Sequence, residues 1–118
     1  MPRLEVADDQ AWLASLGVLP QTEEATDDEY VRELRIPVND SEEVQITWYD
    51  PDCSVRVRHH QGGRIVSDLY REMATLLTVV GTRSAGEVII EYGSSGWSGR
   101  ARIQVLPDVL IKDTVLRA

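Results

Sequence analysis

The spacing of apolar residues along the chain changes character near Tyr30, and that change divides the sequence into a short helical part and a longer strand-forming part. Asp8 and Asp9 precede the run Gln10 to Leu16, which places Trp12, Leu13 and Leu16 on one helical face before Gly17 ends it. With Gly17 in a left-handed conformation, Val18 folds back toward Leu13. Residues 19–29 then hold Pro20, Thr22, Glu23, Glu24, Thr26, Asp27, Asp28 and Glu29 with almost nothing apolar, the composition of an acidic linker or mobile loop.

From Tyr30 the period is two. Tyr30, Leu34, Ile36 and Val38 share one face of a strand, with Val31, Glu33 and Arg35 on the other, and Pro37 places the end of that strand at a sheet edge. After a turn at residues 39–43, Val44, Ile46 and Trp48 alternate with Gln45, Thr47 and Tyr49. Asp50, Pro51 and Asp52 turn the chain into a third strand, with Cys53, Val55, Val57 and His59 on one side and Ser54, Arg56, Arg58 and His60 on the other. Gly62 and Gly63 break it.

Two periods compete over residues 64–80. Ile65, Leu69, Met73 and Leu76 make a helical stripe, whereas Thr75, Thr78, Val79 and Val80 favour a strand. The stripe predicts a central helix from about Ser67 to Leu77. Further strands follow, with Val88, Ile90 and Tyr92 inward in one and Ala101, Ile103 and Val105 inward in the next, joined through a loop at residues 93–99. Asp108 to Leu116 can add a last strand. The predicted class is α+β: a predominantly antiparallel sheet of about five or six strands, a short N-terminal helix, and one central helix packed on one face. A length of 118 residues is ordinary for a single domain spanning 1–118.

Charge adds one feature the pattern does not carry. Residues 1–50 contain 13 acidic and 3 basic side chains, while residues 51–118 contain 7 and 9, so the net charge of −8 originates in the N-terminal half. Nucleic acid is a poor partner for such a chain, because phosphate neutralisation drives that affinity. The excess of acid favours either simple solubility or a basic partner. No run is long and apolar enough for a membrane helix, Met1 to Val6 lacks the start of a secretion signal, and a cytoplasmic location is expected.

Candidate chemistry is sparse. Cys53 is the only cysteine, and His59 and His60 point to opposite faces of one strand, so no metal site is expected and no cofactor is called for. The glycine-rich segment Gly93 to Gly99 lacks the Gly-Lys-Ser/Thr ending of a phosphate loop and reads as a hairpin connection. Arg56 and Arg58 with Arg100 and Arg102 make either a basic stripe or, preferably, cross-strand pairs with Glu33, Glu87 or Glu91. Trp97, set among serines and glycines, is a candidate interface anchor or a ring folded over the sheet edge.

The leading expectation is a small acidic protein-binding domain, of the inhibitor or immunity type, that neutralises a basic partner through Trp97 and the acidic residues Glu23, Glu24, Asp27 and Asp28. A second expectation is an assembly subunit that forms a homo-oligomer through its sheet edges. A third is a small-molecule-binding protein or enzyme with a pocket between sheet and central helix, near His59, Tyr70 and Tyr92.

Overall fold

A computed structural model describes residues 3–22 and 30–117. Among the described residues ten strands form two five-stranded sheets, with one α-helix beside them. The first sheet has the order β1 (Glu5–Val6), β7 (Ala74–Val80), β8 (Glu87–Ser94), β9 (Trp97–Gln104), β10 (Leu110–Arg117). The second has the order β2 (Gln21–Thr22), β3 (Val31–Asn39), β4 (Glu42–Tyr49), β5 (Ser54–Gln61), β6 (Arg64–Arg71). All pairings are antiparallel except β1 with β7, which run parallel through Glu5 opposite Leu76 and Val6 opposite Leu77.

Alternation built these strands as the spacing predicts. Leu34 and Ile36, then Val44, Ile46 and Trp48, then Val55 and Val57 come from the second sheet into one buried cluster with Leu77, Val79, Val88, Ile90, Tyr92, Ala101 and Ile103 of the first. Burying branched and aromatic side chains of this size contributes about 1.5–3 kcal/mol each, so this shared layer is the main source of stability. The helix α1 (Asp9–Leu16) adds one large ring to it. Asp8 caps α1, its carboxylate accepting from the Ala11 amide at 2.9 Å, and Gly17 ends it at φ 73°. Trp12 is fully buried and stacks on Trp48 at 6.2 Å between centroids. Leu13, expected on the same face, is exposed.

The α+β class holds, but the predicted central helix does not form. Residues 64–71 and 74–80 are the strands β6 and β7, joined by a tight turn in which Met73 takes φ 55°. Two things gave these strands a helical spacing. β6 is an edge strand exposed along most of its length, so its apolar residues need not alternate, and β7 carries a bulge between Ala74 and Leu76 that shifts its phase by one. The strands accordingly number ten in two sheets rather than five or six in one. Of the predicted linker at 19–29, Gln21 and Thr22 pair with Glu33 and Arg32 as β2, and residues 23–29 lie outside the described residues.

Candidate functional site

Among the described residues no other element packs on the outer face of the second sheet, yet its centre is buried. On β3 and β4 the outward positions are Glu33, Arg35, Glu43, Gln45, Thr47 and Tyr49, and β5 adds Ser54, Arg56, Arg58 and His60. Glu33, Gln45 and Thr47 are all covered, Glu33 to 2% exposure, by the longer side chains around them. Arg35 donates to Glu33 at 2.8 Å and to Glu43 at 2.6 Å, and the Gln45 amide donates to Glu33 at 3.0 Å. Burial pushes the Glu33 carboxyl up, but the hydrogen bonds from Arg35, Gln45 and Gln21 and the charge of Arg35 outweigh it, holding its pKa below the usual range. Arg56 grips Asp68 of β6 with two nitrogens, at 2.8 and 2.5 Å, and this hydrogen bonding lowers the Asp68 pKa as well.

Two depressions flank this network. One, of about 720 Å³, lies toward the hairpin turns and is lined by Arg35, Glu43, His60 and Gly62 among others. The other, of about 110 Å³, lies at the opposite end between Tyr49 and Tyr70, with Thr47, Ser54 and Arg56 also lining it. Asp50 and Asp52, in the 3₁₀ turn that directly follows Tyr49 in the chain, are exposed.

A second surface is the flank where the two sheets end in β6 and β10. Among the described residues nothing pairs with the outer edge of either strand. Ile65, Val66, Tyr70 and, just beyond β6, Met73 are exposed, as are Leu110, Val115 and Leu116 of β10. The two strands are tied across the flank by Arg71 and Asp113, an ion pair to which the Tyr92 hydroxyl also donates at 2.6 Å. Burial, then the hydrogen bond to Asp113, pushes the Tyr92 phenol up. Trp97 meets Tyr92 edge-on at 6.0 Å. On the outer face of the first sheet a concavity of about 540 Å³ is lined by Glu91, Arg100, Arg102 and Lys112 among others.

Trp97 therefore opens β9 and leans over the sheet, half-buried, rather than standing in a loop. The loop itself is a tight hairpin, since β8 continues to Ser94 and Gly96 takes φ 87°. Glu23, Glu24, Asp27 and Asp28 lie outside the described residues. Arg56 and Arg58 sit on one sheet and Arg100 and Arg102 on the other, so no common stripe forms. Arg100 pairs with Glu91 and Arg102 with Glu87, as cross-strand pairing predicts, whereas Arg56 takes Asp68. His59 pairs with Glu42 and His60 with Gln45 on opposite faces, and the described residues hold no group of three metal-ligating side chains. The helix expected to cover a pocket near His59, Tyr70 and Tyr92 is absent among the described residues, and Tyr70 and Tyr92 line separate depressions, on the second and the first sheet. Sequence reasoning missed the Tyr49–Tyr70 depression and the Arg71–Asp113 tie, both of which depend on β6 being a strand.

The architecture is that of an α+β protein with two antiparallel-dominated sheets and one N-terminal helix. Among solved structures it is similar to a chain of a contact-dependent growth inhibition toxin–immunity protein complex from Klebsiella pneumoniae 342, with a TM-score of 0.76 and 9% sequence identity, covering 98% of this chain and 100% of that one. At that identity the likeness shows the fold. No family model and no curated protein matches the sequence. No helix among the described residues is long and apolar enough to cross a membrane.

Proposed function

We propose that this chain is a protein-binding domain of the immunity type, which neutralises a basic toxic partner by occupying its surface. The observation that carries the reading is the near-complete likeness to a chain of a toxin–immunity complex. Such a complex has two kinds of subunit, and the inhibitor is the one proposed here. The carboxylates of Glu33 and Asp68 are held by arginine partners, which suits a fixed, charged surface. The excess of acid in residues 1–50 supplies the attraction for a basic partner.

The test is co-expression with the product of the neighbouring reading frame at the native locus. That product alone should arrest bacterial growth, and co-expression of this chain should restore growth and give a complex that co-elutes. Reversing the charges of Glu23, Glu24, Asp27 and Asp28 should weaken the complex, most visibly at low salt. Growth arrest caused by this chain alone would assign it to the toxin side; failure to rescue would remove the reading.

The unpaired edges of β6 and β10, each eight residues long, favour a second reading as a self-assembling subunit. Light scattering over a wide concentration range decides it: a constant monomer mass sinks this alternative.

A further inference from the structure

We infer that the partner is gripped at the Tyr49–Tyr70 end of the second sheet's open face, by a lysine or arginine side chain of the partner entering between the two tyrosines. The inference rests on the proposed inhibitor role and names the surface that performs it.

The depression is built by strand register. Tyr49 lies opposite Ser54, a residue too small to fill the space beside the ring, and Tyr70 lies opposite Arg56 on the next pair of strands. The remaining gap, about 110 Å³, has the volume of a few water molecules and the hydroxyls of Thr47 and Ser54 among its lining. Arg56 is held by both oxygens of Asp68, so its charge is satisfied on the sheet and it stiffens the wall beneath Tyr70. Tyrosine offers a large contact area with few rotatable bonds, and its ring face attracts a cation.

Charge suits the same end. Glu33, Glu43 and Asp68 on this face are each held by an arginine, whereas the exposed carboxylates of Asp50 and Asp52 are in no ion pair among the described residues. Two exposed acids in the turn that directly follows Tyr49 complement a basic side chain. The other surfaces fit a basic partner less well. The larger depression at the far end of the same face also has an exposed acid, Asp40, but no tyrosine or tryptophan lines it and its one ring, the His60 imidazole, is hydrogen-bonded to Gln45; the concavity on the first sheet presents Lys112 together with Arg100 and Arg102.

The experiment measures binding of the neighbouring frame's product to the full chain and to variants checked for unchanged folding by circular dichroism and melting temperature. Tyr70 is about half exposed, so Tyr70→Ala keeps the fold and should weaken binding about tenfold or more, as loss of a central aromatic does. Tyr70→Lys should weaken it further by placing a like charge against the incoming cation. Asp50→Lys with Asp52→Lys, in a surface turn, should lower affinity without touching the sheet. Leu116→Ser on β10 should leave it unchanged. If the complex forms and none of the Tyr70 or Asp50/Asp52 variants weakens it, the inference is overturned while the inhibitor role stands. If the wild-type chain neither binds nor protects, the inhibitor role falls and the inference with it.

Discussion

Glu33 is nearly out of water and still ionised, and that combination makes its contribution depend on pH. A carboxyl whose folded pKa lies below its unfolded value binds fewer protons in the native state across the interval between the two. Its stabilisation is therefore present above the unfolded value and is lost as pH falls through the folded one. The urea midpoint of the wild type should decline below about pH 4.3, the ordinary value for a glutamate. Glu33→Gln should cost about 1–3 kcal/mol at neutral pH, because Arg35 and Gln45 lose a buried acceptor, and should flatten the acid limb. An acid limb as steep in the variant as in the wild type would show that other carboxyls carry it. Gly99 makes a different demand. A Cβ there would lie 2.2 Å from Cζ of Tyr92, whose ring is held in place by Asp113 and Trp97. Gly99→Ala should destabilise by about 1–3 kcal/mol, as overpacking does, with a lowered melting temperature as the readout. Trimming the ring in Tyr92→Leu should recover part of that loss, a coupling that two independent sites would not show.

At the scale of elements, the helix α1 is too short to persist by itself and depends on what Trp12 reaches. Trp12 is fully buried against Trp48, and its indole N–H donates to the Ala7 carbonyl at 3.0 Å. Trp12→Ala should cost about 3–5 kcal/mol in unfolding experiments, whereas truncating the exposed Leu13 should be close to neutral. Equal losses at both positions would mean that the helix packs on its other face. The same elements show what was legible beforehand. Strands β3, β4, β5, β8 and β9 are covered on one face by the core, so alternation at Leu34, Ile46, Val57, Ile90 and Ile103 announces them and their inward sides. β6 and β7 were hidden for physical reasons. One is an edge whose Ile65, Val66 and Tyr70 remain exposed, and the other is dephased by its bulge. Reading residues 67–77 as a helix took Tyr70 off the sheet. With it went the neighbourhood of Tyr49, so the depression between them could not be anticipated, while Trp97 was noticed because its glycine and serine neighbours isolate it in sequence.

For the molecule as a whole, the uneven charge belongs to the stretch of sequence from which the second sheet is drawn. The stretch 21–71, which supplies every strand of the second sheet, contains 12 acidic and 6 basic side chains, while 74–117, which supplies all of the first sheet except β1, contains 4 and 5. Among the described residues of the first stretch the count is 7 acidic to 6 basic, so the surplus acid is that of residues 23–29, the sequence between β2 and β3. Screening acts on this long-range field more than on contacts made at close range, because the Debye length shrinks to a few ångströms at high salt. A basic partner guided by the field should associate at least about tenfold more slowly as salt rises from about 0.05 to about 0.5 M, with a much smaller change in its dissociation rate. Stopped-flow mixing of the two proteins separates these rates. Were dissociation to carry the salt dependence instead, the acidic residues would be making contacts inside the interface, and long-range steering would have to be given up.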